Sequence, residues 1–350
     1  MRVVSYSGFN VKIEPWSKEV SELFDAVKIH SANDFFFADQ HIQFARLPVK
    51  SEIDPLRALL AKLQGEIYAS CYCRRFRGRF TRVQNVDLSS DDIGESLSSA
   101  NLGRGRWEAG WIVAKVEPAR IWAERQGRTQ WFWPGQLTID GASRPSLGAL
   151  VNVYLSKEDV HIQPGFYMAL SESTLDELDQ LSLVRLYWNV NANGAFLLLR
   201  FLTERLNRFR IPFRFKCPRY KSHFDRRDAA VLYVARRLYP LTMRLVTECY
   251  RQTKPYLNPE TPLFSKMLAP GLGLAEDPGN GESFGVKLSR LLAEAICNAY
   301  GKNLQTREAR FEELATLFCQ NRLDPSRPYL SPNSKDDYHL ELISAEEASD

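Results

Sequence analysis

The chain has 350 residues, 46 Lys and Arg against 42 Asp and Glu, a formal charge of +4 and 44% apolar content. That composition excludes a disordered or fibrous protein, because apolar side chains suffice for a core and the 19 Gly and 18 Pro follow no fixed period. With no run of about 18 apolar residues and no basic-then-apolar amino terminus, the chain is expected to be soluble and cytoplasmic, with no membrane partner.

At about 150 residues per domain, the length allows two domains or one large α+β domain. The expected organisation is a helical N-terminal segment with a loop excursion over 1–106, an antiparallel β segment over 107–172, an α/β half over 173–330 and an acidic tail over 331–350. The six cysteines form no CxxC pair and no disulfide framework, so they are expected to be reduced thiols, mostly in core or strand positions. Five histidines lie far apart, and no metal is expected.

In chain order, VSELFDAVKIHS and DPLRALLAKLQGEIYAS space apolar residues at three and four and predict helices, the second starting at Asp54 before Pro55. Cys71 to Phe80 alternates Cys or aromatic residues with Arg, a strand pattern, and Leu88 to Gly105 predicts a loop. From Trp107 to Leu170, six short strands separated by turn residues predict a curved antiparallel sheet. Its five tryptophans are expected to fill a small β core rather than to form a stacking platform for bases or sugars.

From Leu183 onward, VRLYWNVN places Val184, Leu186, Trp188 and Val190 on one strand face and Arg185, Tyr187, Asn189 and Asn191 on the other. An amphipathic helix over 194–209 leads to a second strand, FRFKCP, with Phe213, Phe215 and Cys217 opposite Arg214 and Lys216. Strand, helix and strand at this spacing predict a crossover unit whose two strands are parallel near neighbours. Their polar faces then bring Asn189 and Asn191 towards Arg214 and Lys216. A long helix is expected from Asp225 to Thr253, capped by Asp225 and Asp228 and kinked at Pro240. Pro270 to Gly285 holds five glycines in sixteen residues but lacks the GK[ST] of a P-loop. It is expected to be a loop over an active-site mouth, with Glu282, Ser283 and Arg290 near its hinge. The tail after Pro332, with six acids against Lys335, is expected to be solvated.

Charge is concentrated. Between Arg200 and Arg237, twelve Lys or Arg stand against three acids, so this stretch outweighs a net acidic remainder. A local field suits an anionic or phosphorylated ligand better than nucleic acid, which is not expected as a partner. A lysine flanked by arginines is driven towards its free amine by like charge and burial, the condition for a general base. Arginines grip phosphate through paired hydrogen bonds. Neither task needs a metal or cofactor, and the set fits β-elimination of phosphate from phosphoserine or phosphothreonine. The alternative, that these cations are the wet face of a sheet and helix, stands beside it.

The blocks LYWNVNANGA, IPFRFKCP, FDRRDAAVLYVARRLYP and TPLFSKMLAPGLGLAEDPGNGESFG resemble those of the HopA-type effector family over about residues 183–300. That family takes in bacterial type III secretion effectors and the stand-alone lyases of class V lanthipeptide and thioamitide biosynthesis. The resemblance implies a bacterial protein with a lyase-like C-terminal half. It also implies a phosphorylated precursor peptide as substrate and a separate Ser/Thr kinase as partner, since no kinase loop is present. By resemblance, Lys216 is the base. Arg214, Arg219, Arg226 and Arg236 are phosphate-binding candidates, and His223, Tyr233 or Tyr187 is the acid. Asn189 and Asn191 hold the substrate backbone, and Lys266 is a second candidate base or phosphate ligand. The runner-up is a non-catalytic effector-type protein that binds a phosphorylated or acidic partner in the same basic groove.

Overall fold

Leu183–Trp188 is buried at every position, and the architecture is built outward from this strand. The computed structural model describes residues 14–45, 55–79, 91–125, 127–139, 145–279 and 281–340. The chain opens with helix α1 (Ser17–Ala26), strands β1 (Val27–Ser31), β2 (Asp34–Phe37) and β3 (Gln40–Gln43), and helices α2 (Pro55–Ile67) and α3 (Gly94–Ala100). Strands β4 (Arg106–Val116), β5 (Ile121–Arg125), β6 (Arg128–Phe132), β7 (Leu137–Thr138), β8 (Leu150–Leu155), β9 (Glu158–Asp159) and β10 (Phe166–Leu170) follow. The last part comprises α4 (Glu177–Gln180), β11 (Leu183–Trp188), α5 (Ala192–Arg208), β12 (Phe213–Pro218), β13 (Ala230–Ala235), α6 (Tyr239–Thr253), β14 (Lys266–Ala269), β15 (Leu272–Glu276), α7 (Phe284–Gly301) and α8 (Arg307–Gln320).

Among the described residues the fold is α+β, with three antiparallel sheets. A meander of β1, β2 and β3 sits at the N-terminus. A five-stranded sheet runs β6-β5-β4-β8-β7, and a seven-stranded sheet runs β14-β15-β11-β13-β12-β10-β9. Bulges in β4 bend the five-stranded sheet, because an extra residue on one strand increases local twist. One face of the seven-stranded sheet packs Val184, Leu186, Trp188, Phe215 and Leu232 against Leu198, Leu202 and Val246 of α5 and α6. The other face is half covered by α7 and the single π turn Tyr68–Tyr72, which meet Tyr187, Val231 and Ala275.

Several expectations are corrected. Residues 230–235 form a central strand, not the start of a long helix, and Pro240 opens α6 in its first turn rather than kinking it. β11 and β12 are parallel to one another but are not neighbours, because β13 lies between them, antiparallel to both. Phe166–Leu170 pairs with β12 and β9 in the seven-stranded sheet, not with the strands of the five-stranded sheet. The stretch VKIHS is a strand, and DFFF with QHIQ completes a hairpin that helical spacing did not predict.

Cys71 onward forms the end of the π turn and an irregular stretch instead of a strand; Phe80 lies outside the described residues. The buried Arg227 guanidinium donates to the carbonyls of Cys71 and Arg74, which takes those oxygens away from any ladder. Gly94–Ala100 is a helix within the expected loop, with residues 88–90 outside the described set. The glycine-rich stretch supplies strand β15, joined to β14 through Gly271, whose φ is +77°.

The tail is anchored at Tyr338, while Pro332, Asn333, Lys335, Asp337 and His339 are exposed as expected. Tyr338 is 3% exposed, and its hydroxyl donates to Glu276; residues 341–350 lie outside the described set. Among the tryptophans, Trp111 is core, whereas Trp107 and Trp133 stand about half exposed. Five of the six cysteines are buried, and none is in a disulfide. Among the described residues, no helix is long and apolar enough to cross a membrane.

Helix α5 starts where the Asn191 side chain accepts from the Gly194 amide, 2.9 Å away. A Cβ at Gly194 would stand 2.4 Å from Tyr256 Cβ and 2.6 Å from Val190 Cγ2. Gly194→Ala is therefore expected to destabilise the protein by about 1–3 kcal/mol through overpacking, read as a lower urea midpoint.

Candidate functional site

Strand register sets two rows across the seven-stranded sheet. Ala275, Arg185, Tyr233, Arg214 and Leu170 form one; Gly273, Tyr187, Val231, Lys216 and Met168 form the next. Side chains in register point to one face, so Arg185 and Tyr187 share a face with Arg214 and Lys216, with β13 between them. Tyr187, Val231 and Ala275 are covered by Tyr72 and Phe284. Tyr233 and Lys216 are half-buried, and Arg214 is exposed.

The Lys216 ammonium donates to Gln163 Oε1 at 3.2 Å and lies 4.5 Å from the Phe166 ring centroid. The Arg226 guanidinium approaches the same ring at 5.4 Å. Two cations thus share one aromatic ring, an arrangement favoured by the negative π face. Arg226 is held by a two-pronged pair with Asp228, Nε to Oδ1 at 2.6 Å and Nη2 to Oδ2 at 2.9 Å. Its Nη2 also reaches Tyr68 Oη at 3.4 Å and Cys73 Sγ at 3.1 Å. Burial alone would raise the Asp228 carboxyl, but Arg226, with Lys216 adding to it, outweighs burial and holds that carboxyl below the usual carboxylate range. Burial and the Asp228 charge push the Cys73 thiol up to about 12, so it stays protonated.

In the neighbouring row, the Tyr233 ring lies between two guanidiniums, with Arg185 at 5.2 Å and Arg214 at 5.5 Å from its centroid. Arg185 is buried and bound to Asp277 Oδ2 through Nε at 2.7 Å and Nη2 at 2.6 Å. Tyr187 is 2% exposed; its hydroxyl lies beside that of Tyr72 without full hydrogen-bonding geometry, and burial raises its pKa. That hydroxyl has no route to a ligand on the open face.

The remaining candidates are placed elsewhere. Asn189 is 5% exposed and donates to the Glu260 carbonyl, fixing the 258–260 loop, and Asn191 is the cap of α5. Neither turns towards Lys216, because β11 ends at Trp188. Arg219 pairs with Asp92 at 2.7 Å, and His223 packs edge-on against Tyr220 in the turn Lys221–Phe224. Arg236 reaches Glu276 at 3.3 Å and Ser334 at 2.5 Å, while Lys266 meets Asp336 at 2.7 Å, all under the C-terminal segment. Arg290 is bridged to Glu282 at 3.0 Å and Glu294 at 2.7 Å at the start of α7.

The expected crowd of guanidiniums is therefore largely matched by carboxylates. Lys216, Arg214, Arg226 and Tyr233 are brought together, and Asp228 proves to be a buried counter-ion rather than a helix cap. Sequence reasoning placed Arg185 on the polar strand face without a role and missed Asp277, Tyr68 and Phe166. The unbroken apolar run AVLYVA was the available signal: as a central strand it aligns Tyr233 between Arg185 and Arg214.

Residues 158–330 match the model of the HopA1 effector protein family. Two solved structures are similar to the chain: the effector protein from Pseudomonas syringae pv. tomato strain DC3000, at 20% identity and a TM-score of 0.38, and that from Pseudomonas syringae pv. syringae strain 61, at 16% identity and 0.37. In both, the match covers 48% of this chain and 63% of the other, less than two thirds of the relatives' length. No curated protein matches.

Proposed function

We propose, from the match of residues 158–330 to the HopA1 effector protein family model, that the protein is a metal-independent lyase that eliminates phosphate from phosphothreonine or phosphoserine of a ribosomally made precursor peptide, after a separate Ser/Thr kinase has installed it. The observation that carries this reading is the Lys216 amine on the open strand face, beside Arg214 in the strand and Arg226 across the Phe166 ring.

The Lys216 nitrogen takes the Cα proton of the phosphorylated residue. The C–H electron pair becomes the Cα=Cβ bond, and the Cβ–O bond breaks. Inorganic phosphate leaves with the ester oxygen, and dehydrobutyrine or dehydroalanine remains. Arg214 and Arg226 stabilise the charge that gathers on the departing phosphate. Tyr233, half-exposed between two guanidiniums, is the better placed proton donor to that phosphate, since Tyr187 is enclosed and His223 is packed on Tyr220. Tyr233→Phe is expected to slow elimination by about 10²-fold, whereas His223→Ala leaves it within about twofold; the reverse pattern moves the acid to His223.

A second reading, phosphopeptide binding without turnover, is favoured by one contact: Lys216 is engaged as a cation by Gln163 and the Phe166 face. Mass spectrometry of a phosphothreonine peptide after incubation separates them. Loss of phosphoric acid supports the lyase, unchanged mass supports the binder, and exchange of the phosphate for a hydroxyl indicates a phosphatase and removes both.

A further inference from the structure

Between the five-stranded and seven-stranded sheets lies a cleft of about 560 Å³, into which Met168, Leu170 and Arg214 project. Met168 stands directly across from Lys216, and Leu170 across from Arg214. The cleft therefore begins on the same two rows as the candidate base. Its size falls within the range of about 300–1,000 Å³ common for organic ligands, far more than a phosphate group fills. Its rim carries Ile162, 51% exposed, and Leu181, 69% exposed. On the opposite wall the Glu108 carboxylate is held by Arg125 at 3.1 Å and Arg106 at 3.5 Å, which ties those side chains to one another.

We infer that this cleft takes an apolar side chain adjacent to the phosphorylated residue, so that the protein selects phosphopeptides with apolar flanks over free phosphoamino acids. The inference rests on the phosphopeptide site proposed above and names its substrate preference. Adjacent strands lie about 5 Å apart and extended residues advance about 3.3 Å. A peptide whose phosphorylated residue sits at Lys216 thus has a side chain one or two positions away over Met168 and Leu170. Exposed Ile162 and Leu181 then close over that side chain and remove apolar surface from water on both partners.

The test uses wild-type protein and fluorescent peptides carrying the phosphonate analogue of phosphothreonine, in which CH2 replaces the ester oxygen and elimination is blocked. Anisotropy is expected to show the Leu-flanked peptide binding about tenfold tighter than the uncharged, polar Asn-flanked one. Leu181→Glu and Ile162→Glu, both at exposed positions, are expected to reduce that ratio to about twofold or less without changing competition by inorganic phosphate. Equal affinity of the two peptides, no binding of either, or an undiminished ratio in both variants overturns the inference. Elimination without flank preference sinks the cleft and spares the lyase; preference without elimination keeps the cleft and removes the lyase.

Discussion

Lys216→Ala is expected to abolish phosphate loss from a phosphothreonine peptide, with a rate decrease of about 10²–10⁴-fold, the span that general base catalysis supplies. The side chain is half-buried on a strand face and makes one hydrogen bond, to Gln163. Its removal leaves backbone pairing with β10 and β13 intact, so unfolding midpoints should move little. Peptide binding measured by anisotropy separates the two roles of the ammonium. A base variant keeps most of its affinity while losing rate, whereas a variant that lost only a phosphate contact weakens binding and keeps its maximal rate. Elimination at the wild-type rate in Lys216→Ala removes this lysine from the mechanism.

Asp228→Asn is expected to destabilise the protein by about 3–5 kcal/mol, because it leaves the Arg226 guanidinium enclosed without its counter-charge. Asp228 is 6% exposed and accepts both short bonds from Arg226. The pH dependence has a definite sign. The folded-state carboxyl lies below its ordinary value, through Arg226 and Lys216 acting against burial. The carboxylate's contribution is thus complete above about pH 4, the unfolded value, and is lost as pH falls through the depressed folded value. Urea unfolding across that interval should show the gap between wild type and Asp228→Asn narrowing towards low pH. A double replacement, Arg226→Met with Asp228→Leu, is expected to recover most of the stability while losing phosphate affinity. A gap that stays constant with pH would show that the carboxylate is not what holds this part of the fold.

How much of this was legible depends on the range of the interaction. The polar face of FRFKCP follows from alternation alone, and Arg214 and Lys216 do share it with Arg185 and Tyr187. The helix expected over 194–209 is found over 192–208, because amphipathic spacing is local. Residues 230–235 defeated the same method. A strand buried on both faces shows no alternation, and Val231, Val234 and Leu238 happen to fall at helical spacing. Helical spacing over this strand hides the place of Tyr233 between two guanidiniums and makes a cap of Asp228.

The sequence by itself determined the concentration of cations, the faces on which Lys216 and Arg214 stand, and the kinship of the C-terminal part. Which cations keep their charge uncompensated was decided only by tertiary structure. Arg219 meets Asp92 across 127 residues, Arg185 meets Asp277 across 92, and Lys266 meets Asp336 across 70. Counter-charges brought in by distant chain reversals leave no periodic trace in the residues around the cation. Yet at 4 Å or less they set its electrostatics more strongly than its sequence neighbours do.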